Sequence, residues 1–145
     1  MNDNNAGNKP ISDRENYLAK VVVDIAFILH KALGPGLLES VYEKCFCYEL
    51  AQRGIPFESQ KKVAINYQGL ILEDGLRLDI LVDDLLILEL KAQEEYHPIW
   101  DAQLLSYLKL TKKRIGYIIN FNTENTEKLR FIYILFIIHF FFYFF

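Results

Sequence analysis

Two carboxylates and a lysine interrupt an otherwise apolar stretch, RLDILVDDLLILELKA, at residues 77–92. Asp79, Glu89 and Lys91 belong to two segments in which apolar side chains alternate as they do in buried β-strands. Burying a charged group is costly unless the group is paired or binds a metal. These three residues are therefore the first candidates for chemistry in this sequence.

The register of the predicted hairpin decides whether the two carboxylates meet. A two-residue loop would place Asp79 opposite Leu88 and would mix polar with apolar faces. A three-residue connection aligns the apolar faces and places Asp79 opposite Glu89, with Cβ atoms about 4.5–5.5 Å apart. Because side chains alternate along a strand, we expect Leu78 and Leu88 on the apolar face. Both carboxylates are then expected on the opposite face, together with Lys91.

Carboxylates this close repel each other, and a pKa shifts unless a cation lies between them. Mg²⁺ and similar hard cations take oxygen ligands from one or two carboxylates and keep several waters. An ammonium group beside such a site can orient a water or stabilise charge on a phosphate. The residues alone leave two interpretations open. Either Asp79 and Glu89 bind a metal beside Lys91, or the strand end is exposed and holds a simple Glu89–Lys91 salt bridge.

The helices and strands predicted around the hairpin form one domain with a mixed central sheet. Ser12 and Glu15 make a capping-box pattern that begins a first helix, and the sequence GPG at residues 34–36 ends it. His30 is expected on the surface of this helix. The remaining pattern predicts, in chain order, a helix over about 38–53, strands at 63–67, 76–82 and 85–91, a helix opening at His97–Pro98, and a strand over 114–121.

The net charge of −3 gives no overall field that would attract nucleic acid, so binding would depend on local basic patches. The strongest such patch in the sequence is Lys109, Lys112, Lys113 and Arg114. It is either a solvated surface or a contact region for nucleic acid.

Two cysteines, Cys45 and Cys47, are too few for a disulfide framework or a zinc site. We expect them to be free thiols in a reducing cytoplasm.

The two ends of the chain differ from its centre. Residues 1–12 are polar and lack an export-signal pattern, so we expect a disordered N-terminal tail. Residues 126–145 form an apolar, aromatic C-terminal tail whose last part, FIYILFIIHFFFYFF at 131–145, is shorter than a spanning helix. Three interpretations of this last part stay open: a spurious end, a buried terminal element, or a membrane anchor.

Four motifs resemble those of a known superfamily. The arrangement D…E-x-K at residues 79–91 is similar to the PD-(D/E)XK nuclease superfamily, although Leu78 replaces the proline of that name. GLLESVY at 36–42 resembles the signature of the GxxExxY proteins, a prokaryotic group within it, and QLLSY at 103–107 resembles its Q-x-x-x-Y motif. The resemblance covers about residues 14–122. It implies a nuclease-like domain at 13–125 with a restriction-endonuclease-like αβββαβ core.

The resemblance also implies a function. A nuclease of this kind would use Mg²⁺ or Mn²⁺ and no organic cofactor to hydrolyse phosphodiester bonds of DNA or RNA. The alternative is a non-catalytic module on the same fold that binds nucleic acid or protein.

Taken alone, Glu39 is also a favourable charge at a helix start, and Tyr107 is an ordinary core residue. The implied metal ligands are Asp79, Glu89 and Glu39, and the implied catalytic residues are Lys91, Gln103 and Tyr107.

Overall fold

The computed structural model describes residues 10–135, so most of the expected N-terminal tail and residues 136–145 lie outside the described residues. The described part of the chain contains three α-helices and five β-strands, in the order ααβββαββ. The helices are α1 (Asp13–Leu33), α2 (Glu39–Gln52) and α3 (Ile99–Thr111). The strands are β1 (Phe57–Tyr67), β2 (Leu70–Val82), β3 (Leu86–Lys91), β4 (Ile115–Asn120) and β5 (Arg130–Leu135).

The strands form one mixed sheet in the order β1-β2-β3-β4-β5. Only β3 and β4 run parallel, and α3 is the crossover between them; the other neighbouring pairs are antiparallel. The sequence-based expectation of an α/β fold with a restriction-endonuclease-like core, a mixed sheet flanked by helices, is confirmed.

Apolar side chains pack in two clusters. The larger one joins α1 and α2 to the sheet and includes Leu18, Phe46 and Leu88. The smaller one joins α3 to the sheet and includes Leu104 and Ile118. Strands β3 and β4 contribute apolar side chains to both clusters, so both faces of the sheet are covered at these two strands. A charged side chain on these strands can therefore meet solvent only near a strand end.

Helix α1 begins and ends where the sequence predicts. Ser12 Oγ accepts a hydrogen bond from the Glu15 N–H, and the Glu15 carboxylate accepts one from the Ser12 N–H, which completes the capping box. The expectation for His30 is wrong, because this side chain is only 2% exposed. Its ring nitrogens bond to Thr126 Oγ1 and to the Thr123 carbonyl, since the segment after β4 covers the last turn of α1.

The sheet extends further than the sequence pattern indicated. Strand β2 starts at Leu70 because Gln68 and Gly69, with φ of 50° and 90°, form a tight turn directly after β1. Strand β5 contains residues 131–135 of the aromatic tail and pairs with β4. The sheet therefore continues past residue 125, where we had placed the end of the domain. Within residues 10–135, no helix is long and apolar enough to cross a membrane.

The contact between β4 and α3 gives a test of this packing. A Cβ atom at Gly116 would lie 2.7 Å from Leu104 Cδ1, so Gly116→Ala should force the buried Leu104 side chain to move. We expect the free energy of unfolding to fall by about 1–3 kcal/mol in urea denaturation. The loss should shrink in a Leu104→Val background, because the smaller side chain leaves room for the new methyl group. Exposed Ser106→Ala on α3 is the control, and equal stability of Gly116→Ala and wild type would contradict this packing.

Candidate active site

The register of the β2–β3 hairpin is the one that unites the two carboxylates. Its connection has three residues, and Val82 pairs with Leu86, as the three-residue prediction requires. The ladder of main-chain pairs ends two residues further on, just before Asp79 and Glu89. There the Asp79 N–H donates to Glu89 Oε1 at 3.2 Å, and the Leu90 N–H donates to Asp79 Oδ2 at 2.9 Å. The carboxylates thus replace main-chain acceptors at the point where the strands separate.

One part of the face assignment is wrong. Leu88 lies in the larger cluster as expected, but Leu78 packs in the smaller one with Leu81. Strict alternation fails because the β1–β2 ladder skips the Gln60–Asp79 position, where Gln60 has a φ of 52°. Asp79 is thus unpaired with β1 in the ladder and lies just beyond the last pair of the β2–β3 ladder.

Glu89 is buried, with 6% exposure, and is in direct contact with a second carboxyl group. Burial raises the pKa of Glu89 to about 9, and the negative charge of Asp79 adds to this effect. A hydrogen bond between the two carboxyl groups acts in the same direction, whereas the charge of Lys91 acts weakly against it. In the metal-free protein, Glu89 therefore carries a proton at neutral pH.

Lys91 lies against α3. Its ammonium group is 5.5 Å from the centre of the Trp100 ring, and Trp100 is 8% exposed. Such a contact stabilises a cation by about 0.5–2 kcal/mol and holds its position. Among residues 10–135, Lys91 forms no ion pair within 4.0 Å, so a simple Glu89–Lys91 salt bridge does not account for the charged hairpin.

Glu39, in the first turn of α2, reaches the chain directly after β3. Its Oε1 accepts a hydrogen bond from the Ala92 N–H at 3.3 Å. The Asn120 side chain holds Gln93, the residue after Ala92, through two hydrogen bonds. It accepts from the Gln93 N–H at 3.1 Å and donates to the Gln93 carbonyl at 2.9 Å. Two other elements thus fix the end of β3. The role of Glu39 as a metal ligand stays a prediction.

An open cavity of about 550 Å³ lies in front of Asp79, and Glu39 lines it. Two further charged residues line it that the sequence analysis did not select, Glu43 and Arg77. Burial raises the pKa of Glu43, although the Gln60 amide donates to its carboxylate at 2.8 Å and opposes the shift. Both could have been found from spacing, because Glu43 lies one helical turn after Glu39 and Arg77 lies two residues before Asp79.

The Q-x-x-x-Y pair of α3 lies on the other side of the carboxylates. Gln103 Nε2 donates to Tyr107 Oη at 2.8 Å, as expected for residues four apart on one helix face. Burial raises the pKa of Tyr107, and the next largest cause is the negative charge of Glu89. The structure therefore places Tyr107 within electrostatic range of Glu89, with Gln103 hydrogen-bonded to it.

The basic cluster lies at the other end of the hairpin. Lys113 Nζ is 3.0 Å from the carboxylate of Asp84, in the β2–β3 turn, and Arg114 lies 3.9 Å from Glu15. Asp84 follows Asp79 by five positions, and a fully extended chain of that length spans at most about 18 Å. Lys112 ends α3 in the left-handed conformation, and Lys109 belongs to the last turn of that helix. The structure does not bring this cluster to the carboxylates, and its binding of nucleic acid stays a prediction.

The carboxylate pair has the chemistry of a site for a hard divalent cation. It offers only oxygen donors, and because the pKa of Glu89 is raised by burial and by the charge of Asp79, a cation between the two groups would favour the ionised form of Glu89. In the part of the chain that the structure describes, no group of three or more His, Cys, Asp or Glu side chains is placed to hold a metal. The residues therefore fit an ion of the Mg²⁺ type, which binds through one or two carboxylates and completes its shell with water and phosphate oxygens.

Comparison with known proteins identifies one family. The model of the PD-(D/E)XK nuclease superfamily matches residues 16–132, from the first turn of α1 into β5. This range includes the hairpin, α2 and α3. A search of curated proteins and a search of solved structures each found no match.

The buried proton predicts how stability depends on pH. Between the ordinary pKa of 4.5 and the raised pKa of about 9, the folded protein holds a proton on Glu89 that the unfolded chain releases. The free energy of unfolding should therefore fall as pH rises through this window, by up to about 1.4 kcal/mol per pH unit. Glu89→Gln removes this titration and keeps the acceptor for the Asp79 N–H.

Urea unfolding in the presence of a chelator measures the effect. We expect Glu89→Gln to match wild type at about pH 5 and to exceed its free energy of unfolding at about pH 8. The exposed Glu73→Gln in β2 is the matched control and should follow wild type at both pH values. Parallel curves for wild type and Glu89→Gln would contradict a proton held on Glu89.

Proposed function

The chain belongs to the PD-(D/E)XK nuclease superfamily, and from this premise we propose that it is a nuclease that uses Mg²⁺ or Mn²⁺ to hydrolyse phosphodiester bonds of DNA or RNA. The observation that carries the proposal is the contact between Asp79 and Glu89. A stable scaffold gains nothing from a buried carboxyl group whose pKa is raised by burial and by a neighbouring carboxylate, whereas a metal site needs both groups.

Asp79 and Glu89 would hold the metal, with Glu39 as a third candidate at the cavity. When bound, such an ion lowers the pKa of a coordinated water and neutralises charge on the phosphate. The cavity beside Asp79 leaves space for the nucleic acid backbone. The main-chain hydrogen bonds at Asp79 and Leu90 hold both carboxylates in fixed orientations before any ligand arrives.

Lys91 would act on the phosphate or on the attacking water. Its contact with Trp100 holds the ammonium at the strand end without neutralising it, so the full charge is available to a phosphate oxygen. Gln103 donates one amide hydrogen to Tyr107 and has a second that can reach a phosphate oxygen. Tyr107, whose raised pKa keeps the hydroxyl protonated, would orient Gln103.

We also propose that the chain belongs to the GxxExxY group within this superfamily. Gly36 has a φ of 93°, which favours glycine, and Glu39 lines the cavity. The Tyr42 hydroxyl donates to the Gly34 carbonyl and accepts from the Leu37 N–H, so it fixes the loop that leads to Glu39. Gly36 and Tyr42 thus support the position of the Glu39 carboxylate.

Thermal melts with and without Mn²⁺ test the metal site. Wild type should be stabilised by millimolar Mn²⁺, because a ligand that binds only the folded state adds about 2.7 kcal/mol at a hundred times its Kd. Glu89→Gln should lose this stabilisation and any cleavage of nucleic acid. Lys91→Met keeps an unbranched stem against Trp100 and should retain the metal response while losing cleavage.

Each outcome decides between the two functions. A wild-type melt that does not change with Mn²⁺ or Mg²⁺ would favour the non-catalytic binding module. Glu73→Gln, which removes an exposed carboxylate from β2, should respond to metal as wild type does.

Glu39→Gln separates two roles of that residue. The amide oxygen can still accept the Ala92 hydrogen bond, so the metal-free melting temperature should stay close to that of wild type. If Glu39 is a ligand, the concentration of Mn²⁺ required for half of the stabilisation should rise about tenfold or more, as the loss of one charged contact implies. An unchanged Mn²⁺ titration would limit Glu39 to a structural role.

A further inference from the structure

The cavity beside Asp79 is acidic, although the proposed substrate is a polyanion. Asp79, Glu39 and Glu43 all line it. The basic cluster at residues 109–114 cannot offset these charges, because Lys113 and Arg114 pair with carboxylates near the opposite end of the hairpin. Besides the metal ion proposed at Asp79 and Glu89, a phosphate backbone that enters the cavity would therefore be favoured by a cation in the cavity wall.

Arg77 is the cation in that wall. It is exposed, lines the cavity and lies two residues before Asp79 on β2. In the part of the chain that the structure describes, it forms no ion pair within 4.0 Å. The other arginines with described side chains each form one: Arg14 with Asp83, Arg53 with Glu49, and Arg114 with Glu15.

The charge of Arg77 acts on both sides of the site. It lowers the pKa of Glu43 on α2 and that of Tyr107 on α3, against the larger effect of burial in each case. The guanidinium group is therefore close enough to both helices to act on charged groups of the site, and Arg77 itself lines the cavity. A planar guanidinium there can bind a phosphate through two parallel hydrogen bonds.

We propose that Arg77 binds the nucleic acid phosphate next to the one that is cleaved. This inference rests on the proposed function and identifies how the acidic cavity accepts its substrate. Residues 77 and 79 are about 6.6 Å apart along the strand, which is close to the phosphate-to-phosphate step of a nucleic acid backbone. Arg77 thereby sets which phosphate reaches Asp79 and Glu89.

The test is binding, measured separately from cleavage. Fluorescence anisotropy with labelled single-stranded DNA, single-stranded RNA and duplex DNA, in Ca²⁺ and over a series of salt concentrations, gives Kd and its salt slope. Arg77→Gln should weaken binding about tenfold, as expected for one charge-assisted contact. It should also reduce the slope of log Kd against log salt by about 1.

Two further variants keep the result interpretable. Arg77→Lys retains the charge without the planar fork, so its Kd should lie between those of wild type and Arg77→Gln. Lys20→Gln removes one exposed positive charge from α1 and should leave the Kd within about twofold of wild type. Unchanged urea midpoints would show that all three variants fold.

A Kd and salt slope of Arg77→Gln equal to those of wild type would overturn the inference, and so would a wild type that binds none of the three nucleic acids. If Arg77→Lys bound as tightly as wild type, the bidentate contact would be wrong. Binding that depends on Arg77 in a protein without cleavage would support the inference and count against the proposed nuclease activity.

Discussion

The site depends on the exchange of hydrogen bonds where β2 and β3 separate. At this point the carboxylates of Asp79 and Glu89 accept from the main-chain N–H groups of Asp79 and Leu90. The exchange satisfies buried donors that would otherwise lose their partners. It also brings the Asp79 carboxyl group against the buried Glu89, so Glu89 holds a proton at neutral pH. Stability is lost at the position where a cation could restore it, as is common in functional sites.

The rest of the fold keeps this strand end from relaxing. The Phe121 N–H donates to the Lys91 carbonyl at 2.8 Å, and Asn120 and Glu39 hold the next two residues from β4 and α2. With the main chain fixed from two elements, the Lys91 side chain leaves the strand in a defined direction and meets Trp100. The site is preorganised by second contacts on rigid elements, which is what precise chemistry requires.

The sequence predicted the parts of the site that depend on parity and local pattern. The hairpin register followed from the period of two along each strand, and the capping box at Ser12 followed from adjacent residues. The face on which Leu78 packs could not be predicted from β2 alone. The break in alternation lies opposite Gln60, which has a positive φ and belongs to the neighbouring strand β1. The position of the basic cluster relative to the carboxylates could not be predicted for a similar reason, since closeness along the chain does not say which end of a sheet a segment reaches.

The helices on the two sides of the sheet supply different chemistry to the site. Helix α2 brings Glu39 to the cavity, whereas α3 brings Tyr107 to the buried carboxylate. A divalent cation at Glu89 must displace the proton held there, so metal affinity should rise with pH up to about 9. The stability of the metal-free fold decreases over the same range, because the same proton stabilises it. The contact that makes the site costly without metal is therefore also the one that makes metal binding sensitive to pH.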